Sequence, residues 1–313
     1  MAAALIVVPV FALIAAGYAA VALRFISPSA HKGISEFAFS IAIPALLFRI
    51  IVVADFPAVS AWRVWGAYYG AGAVTWIAAL LVSSVVRQSR ADSAVIAMGS
   101  VYGNIAMLGI PLIWSALGDQ GGGTMALILA VNTPLLWLGG TLQMAWAERK
   151  SSEAAPFMAF RAVAEIARNP VMLALGLGFL WRLTGLGLHP IADKTLELLG
   201  QAGAPTALIA LGINLFGFGI KGETLGMAVM CALKLLVMPA IAAILAFYVL
   251  ALPPISAAVV VLLAAMPTGA NAYLFAAQNG RLVNAVSGAV ALGTMLAALT
   301  LPAAISFVTV PLR

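Results

Sequence analysis

Tyr102-Gly103-Asn104, running on to Gly109-Ile110-Pro111, interrupts one apolar segment of this chain, and Pro267-Thr268-Gly269-Ala270-Asn271 interrupts a second. Proline donates no backbone hydrogen bond and glycine weakens a helix, so both stretches predict helices that break within the apolar segment. Free backbone polar groups at membrane depth are tolerated where they line a protected cavity. Because the interruptions occupy matching places in the two halves of the chain, they predict a solute site between two related repeats of a secondary transporter.

The composition indicates a polytopic membrane protein. Hydrophobic residues make up 64% of the 313 residues, charged residues only 8%, and the mean hydropathy is +1.11. The net charge of +6 does not indicate nucleic-acid binding, because the basic residues are scattered over short loops and form no stripe. Cys231 is the single cysteine, so an intramolecular disulfide is excluded. We interpret it as an apolar side chain that packs between helices.

Ten apolar segments are long enough to cross a bilayer, which needs about 20 residues per helix. The predicted spans are Leu5 to Leu23, Ile34 to Val53, Val64 to Val86, Ala94 to Leu117, Thr124 to Trp146, Pro170 to Leu188, Leu196 to Phe216, Leu225 to Val249, Ala257 to Ala277, and Val283 to Val308. The fold class is therefore predicted as all-α, with ten transmembrane helices.

A charge-dense stretch divides these spans into two groups of five. We predict a first five-helix repeat at residues 1–146, a linker at 147–168 and a second repeat at 169–313. An odd number of spans per repeat forces the second repeat to enter the membrane from the opposite side, so the repeats are inverted. Within the linker, apolar residues at helical spacing suggest a short helix on the membrane surface, with a plain loop as the alternative.

Basic residues lie mostly on one side of this ten-span arrangement. The linker side holds Arg24, Lys32, Arg87, Arg90, Arg149, Lys150, Arg161, Arg168, Lys221 and Arg281. The other side holds Arg63, Arg182, Lys194 and Arg313. The positive-inside rule therefore predicts a cytoplasmic linker, with both termini outside the cytoplasm.

The two interruptions carry groups suited to a carboxylate. Asn104 and Asn271 each offer an amide donor, and the half-helices that follow turn their positive dipole ends, near Ile105 and Ala270, toward the same region. The alternative is that each asparagine only bridges neighbouring helices. The predicted substrate-binding set is Gly103, Asn104, Ile105, Pro111, Asn132, Lys234, Pro267, Thr268, Gly269, Ala270 and Asn271.

Lys234 is the one charge in the middle of a predicted span, where an unpaired ammonium is costly. It is expected to face the protein interior, where it could attract an anion or titrate during transport. Structurally, it could instead neutralise helix C-terminal carbonyls. Asn132, beside Thr133 and Pro134, could line the cavity, and Arg49 is interpreted as an interfacial residue.

Several signals for other chemistry are missing or lack context. Gly217 to Gly222 satisfies G-x-G-x-x-G but follows no strand, so no dinucleotide and no other cofactor is expected. His31 and His189 lie at span ends, where an interfacial role is favoured over metal binding. All ten acidic residues lie in loops or near span ends, which lowers the odds of ion coupling through a carboxylate without excluding sodium held by carbonyls.

The chain resembles the auxin efflux carrier family of PIN-like transporters, which includes bacterial carriers for malonate and malate. The residues that carry the resemblance are Ala42-Ile43-Pro44-Ala45-Leu46-Leu47-Phe48, Gly103-Asn104-Ile105-Ala106-Met107-Leu108-Gly109-Ile110-Pro111, Asn169-Pro170, Ala204-Pro205-Thr206-Ala207-Leu208, Lys234 with Pro239, and Met266-Pro267-Thr268-Gly269-Ala270-Asn271-Ala272. The resemblance implies a scaffold of spans 1, 2, 6 and 7, a transport unit of the other six, a crossover of spans 4 and 9, elevator-like motion and a homodimer. It also implies a bacterial inner membrane, so the side on which the charge bias predicts both termini is the periplasm.

The favoured function is thus transport of a small organic anion, a mono- or dicarboxylate, by alternating access, and we expect no enzyme activity. The first alternative is a sodium-coupled carrier of the bile-acid type, which sodium-dependent uptake would reveal. A polytopic enzyme acting on lipid would need a nucleophile with a base, or an acidic metal cluster, and the sequence offers neither. A receptor is the third alternative. The expected partners are the anion and membrane lipid.

Overall fold

The computed structural model describes residues 2–27, 29–53, 59–148, 170–218 and 224–309. These residues form helices and connecting turns, with one isolated antiparallel bridge pair and no strand. The predicted linker helix lies outside the described residues.

Twelve helices are numbered here along the described part of the chain. The first six are α1 (Ala2–Ala22), α2 (Ala30–Phe37, a π-helical turn at Ala38–Ala42, and Ile43–Val53), α3 (Ala61–Val85), α4 (Arg90–Val101), α5 (a π-helical turn at Ile105–Gly109, and Ile110–Leu117) and α6 (Gly122–Ala147). The next three are α7 (Pro170–Leu183), α8 (Pro190–Gly217) and α9 (Thr224–Ala232, Leu233–Val237, Met238–Ala243 and Ile244–Val249). The last three are α10 (Pro254–Ala264), α11 (Ala270–Asn279) and α12 (Val283–Thr309).

The helices confirm a polytopic membrane protein. Among the described residues, 7 helical stretches are long and apolar enough to cross a membrane, and α7 and α10 are shorter apolar helices. Gly185 and Gly187, which both adopt positive φ, follow the end of α7 at Leu183, so the predicted extension of this span to Leu188 is wrong.

Both predicted helix breaks are present, but the first is shorter than expected. The helical hydrogen-bonding pattern stops after Val101 and resumes at Ile105, so the break does not run on to Pro111. The resumed helix begins with a π-helical turn, and Pro111 is the second residue of the α-helical part that follows it.

Helices α1, α2, α7 and α8 pack against one another. The α1–α8 contact is especially close, because a side chain at Gly212 would collide with the Ile14 backbone. We call these four helices the first group.

The second group contains α3 to α6 and α9 to α12, which also contact one another. Polar side chains join its members inside the apolar packing. Tyr69 Oη donates to the Ile128 carbonyl at 2.6 Å, linking α3 to α6, and Thr124 Oγ1 lies 3.0 Å from Ser256 Oγ, linking α6 to α10. Such buried bonds hold helices in fixed register where no water competes.

Candidate functional site

The two helix breaks meet and pair with each other. Gly103 and Thr268 form an antiparallel bridge. The backbone amide of Asn104 donates to the Pro267 carbonyl at 2.7 Å, and the backbone amide of Gly269 donates to the Tyr102 carbonyl at 2.9 Å. Backbone groups that the breaks release from their own helices are thus partly satisfied by the other break, as a buried backbone requires.

Glycine is needed at this crossing because the two backbones approach so closely. A Cβ atom on Gly269 would lie 2.9 Å from the Gly103 carbonyl oxygen and 3.1 Å from the Asn104 nitrogen. A Cβ atom on Gly103 would lie 3.0 Å from Cε of Lys234. Either side chain would push the breaks apart or displace the lysine.

Each break is followed by a helix N-terminus at the crossing. Helix α5 begins at Ile105, and Asn104 caps it by accepting a hydrogen bond on Oδ1 from the Met107 amide at 3.2 Å. Helix α11 begins at Ala270. First-turn amides have no acceptor within their own helix, so those of Ile105 and Ala270 are donors, with the positive ends of the helix dipoles behind them.

A cavity of about 370 Å³ lies beside the crossing. Seven of the eleven predicted site residues belong to its lining: Gly103, Asn104, Ile105, Asn132, Gly269, Ala270 and Asn271. The remaining lining residues are Ser35, Phe39, Ser40, Tyr102, Ala106, Met107, Leu129, Thr133, Pro170, Val171, Met172 and Asn214. The lining therefore combines residues of both helix groups around the two N-termini.

The Tyr102 hydroxyl is the centre of a hydrogen-bond network at the cavity. It lies 2.7 Å from Thr133 Oγ1 and accepts a hydrogen bond from Asn271 Nδ2 at 2.7 Å. The network links α6 to both helix breaks, and in this state it engages the Asn271 amide that we predicted to bind substrate.

Two amide atoms of the lining lack hydrogen-bond partners among the described residues. They are Nδ2 of Asn104, whose residue is 5% exposed, and Oδ1 of Asn132, whose residue is 1% exposed. The hydroxyl oxygen of Ser35, which also belongs to the lining, likewise has no partner among the described residues. Native proteins pair nearly all buried polar groups, so unpaired ones at a cavity indicate ligand or water.

Lys234 lies behind the crossing and outside the cavity lining. It is fully buried, and its Nζ donates to the Ala264 carbonyl at 2.6 Å and lies 3.0 Å from Met238 Sδ. Ala264 is the last residue of α10, so the ammonium neutralises a helix C-terminal carbonyl, which is the structural alternative for this residue. The other predicted site residues outside the lining are Pro111, Pro267 and Thr268.

Sequence reasoning missed three polar lining residues, Ser35, Ser40 and Asn214. Asn214 carried a signal, because an amide between Ile213 and Leu215 stands out within an apolar span. The serines carried none, because their hydroxyls are common in transmembrane helices.

An ion-pair cluster lies at the other end of α2. Arg49 Nε is 2.7 Å from Asp193 Oδ1 at the start of α8, and Arg49 Nη1 is 3.9 Å from Asp119 Oδ2 in the turn between α5 and α6. Beside this cluster, a side chain at Gly122 would collide with Ile50. Arg49 thus contacts both helix groups, at a point distant along α2 from the cavity residue Ser35.

This arrangement of crossed helix breaks beside a polar cavity defines a class, the polytopic membrane transporters. The sequence pattern of the membrane transport protein family matches residues 3–305, so the chain belongs to that family, which is the auxin efflux carrier family indicated by the sequence resemblance. Membership points to a transporter rather than an enzyme.

Two relatives align along nearly the whole chain. A protein of Rhizobium meliloti (strain 1021) named "Putative malonate transporter" is 25% identical over 303 residues, covering 94% of this chain and 92% of the relative. An "Uncharacterized transporter" of Methanothermobacter thermautotrophicus (strain Delta H) is 26% identical over 306 residues, covering 95% of each chain.

Proposed function

We propose that this protein is a secondary transporter that moves a small organic anion, a mono- or dicarboxylate of malonate, malate or auxin type, across the bacterial inner membrane. The observation that carries the proposal is the convergence of the α5 and α11 N-termini on one cavity, with the unpaired Asn104 Nδ2 beside them. The malonate-named relative supports a carboxylate as the substrate.

A site built from backbone amides and a neutral side chain suits a transporter. Helix N-termini favour anions because free amide protons point at the ligand and the helix dipole adds partial positive charge. Each such interaction is modest, so the anion binds without being trapped and leaves on the other side.

The motion we propose is of elevator type, with the first helix group as a fixed scaffold and the second group carrying the crossing. The cavity supports this division, since Ser35 and Asn214 of the first group line it together with Asn104 and Asn271 of the second. We propose that α4 with α5 and α10 with α11 are the broken members of two inverted five-helix repeats, that the transporter is a homodimer, and that both termini are periplasmic.

With this division, we propose that the protein is in an inward-facing state. The first-group lining comes from the ends of α2, α7 and α8 nearest the linker, which the positive-inside rule places in the cytoplasm. At the opposite end, the Arg49–Asp119 pair and the close packing of Ile50 on Gly122 join the two groups. Movement of the second group would have to break these contacts to open the periplasmic side.

A thermal-shift screen of the purified protein against small carboxylates tests the substrate class, because a ligand that binds the folded state raises the apparent stability. We expect stabilisation by at least one mono- or dicarboxylate and accumulation of that compound in proteoliposomes. Uptake is also measured with potassium in place of sodium. A sodium-coupled carrier of the bile-acid type would lose uptake under this condition. Absence of both stabilisation and uptake for all carboxylates would contradict the proposal.

A further inference from the structure

Asn132 presents a hydrogen-bond acceptor that the protein itself does not use. The residue lies in α6, lines the cavity and is 1% exposed, and its Oδ1 has no partner among the described residues. Its neighbour Thr133 is the residue of α6 whose hydroxyl lies 2.7 Å from the Tyr102 hydroxyl. A buried acceptor without a partner is rare in native proteins, so its place in the cavity wall points to a donor on the ligand.

The crossing supplies the opposite kind of group. Asn104 Nδ2 is an unpartnered donor, and the amides of Ile105 and Ala270 at the two helix N-termini are donors as well. A bare carboxylate would satisfy these donors, but it carries no proton for Asn132 Oδ1. The two sets of groups together match a ligand that has an acceptor and a donor.

We infer that the cavity selects a small monoanion with a carboxylate for the crossing and an O–H or N–H donor for Asn132, which makes Asn132 a specificity-determining residue. The inference rests on the proposed function and deepens it by naming the substrate class. An O–H donor has two chemical sources, the hydroxyl of a hydroxy acid or the protonated second carboxyl of a dicarboxylate, and an N–H donor comes from an amide. Tyr102 is the titratable side chain in the described lining, and Lys234 lies behind Gly103.

Two monoanions of similar size test the need for a donor at constant charge. Malonamate carries a carboxylate and an N–H donor, whereas monomethyl malonate carries a carboxylate and an ester without a donor. Binding of both to the full-length wild-type protein is measured by calorimetry at neutral pH. We expect malonamate to bind about tenfold more tightly, because the ester leaves the buried acceptor unpaired. Equal affinity overturns the inference.

Two variants assign the preference to Asn132. Asn132→Leu removes the acceptor at similar volume and should bring the two affinities within about twofold of each other. Thr133→Val removes the hydrogen bond to the Tyr102 hydroxyl but leaves the Asn132 acceptor, so it should keep the malonamate preference even where both affinities fall. A preference that survives in a folded Asn132→Leu variant overturns the assignment, and the wild-type comparison decides the need for a donor if that variant does not fold.

Further ligands separate the two donor sources. Lactate binding more tightly than propionate indicates a hydroxyl. If malonate binds more tightly at the pH of its second ionisation than at neutral pH, and malonamate binding does not change, the donor is a protonated carboxyl. Given the malonamate preference, either result identifies the O–H source, and the absence of both indicates an N–H donor; equal binding of malonamate and the ester overturns the inference in every case. If no carboxylate binds at all, the proposed function fails along with the inference, whereas equal binding of both members of every pair leaves the function standing.

Discussion

Replacing Gly269 by alanine tests whether the crossing of the two breaks sets the site geometry. The added Cβ would lie 2.9 Å from the Gly103 carbonyl oxygen, whereas ordinary contacts begin at 3.4 Å, so the breaks must separate by about half an ångström. Overpacking of this kind costs about 1–3 kcal/mol. The two bridging hydrogen bonds, at 2.7 and 2.9 Å, add about 0.5–1.5 kcal/mol each where they are lost. We therefore expect a loss of about 1–3 kcal/mol if both hydrogen bonds persist and about 2–6 kcal/mol if both are lost, shared between folding and ligand binding.

The assay measures thermal stability in detergent and carboxylate affinity for Gly269→Ala beside Gly139→Ala. Gly139 lies in α6 with open space around a Cβ, so its replacement changes only helix propensity, which favours alanine by about 1 kcal/mol. We expect the Gly139 variant to match or exceed wild type in stability and to keep its affinity. If Gly269→Ala keeps wild-type stability and affinity, as Gly139→Ala should, the close approach of the two breaks does not determine the geometry of the site.

Three further predictions address charge and orientation. Lys234→Met should stay folded but transport more slowly, since the Ala264 carbonyl loses its donor, whereas Lys234→Arg should retain part of the activity; a wild-type uptake rate for the Met variant would leave only a structural role. Asp193→Asn should lower the melting temperature more than Asp119→Asn. Arg49 lies 2.7 Å from Asp193 but 3.9 Å from the more exposed Asp119, and a long, exposed ion pair contributes less than about 1 kcal/mol. A larger effect of Asp119→Asn would refute this ranking. In a cysteine-free background, an impermeant reagent applied from the periplasm should not label the linker variant Ser152→Cys. Labelling of this variant would show that the linker faces the periplasm.

Most of the helices and both breaks could be predicted from the sequence, because hydropathy reports burial in lipid directly and glycine and proline report where helices end. The contact between the breaks was expected only from the pairing of the two halves. The sequence could not show that Asn271 would be engaged by Tyr102, because hydrogen bonding between spans depends on how helices rotate about their axes.

Lys234 illustrates the same limit. Its charge within an apolar span predicted an interior position, and the residue is indeed fully buried. Two destinations were consistent with that position, the cavity and a helix C-terminus. Only the three-dimensional path of α10, which ends at Ala264 beside the ammonium, distinguishes them.

We propose that the side-chain amide of Asn104 binds the substrate carboxylate at the crossing. The most direct measurement is the affinity of Asn104→Ala for malonate, or for the carboxylate that stabilises the wild type most, by calorimetry on folded protein. Asn279→Ala is the matched control, because Asn279 donates to the Phe275 carbonyl at the far end of α11. We predict a loss of about 1–3 kcal/mol for Asn104→Ala, a larger loss for Asn104→Asp because its charge repels the anion, and wild-type affinity for the control. Wild-type affinity in a folded Asn104→Ala variant would contradict the account.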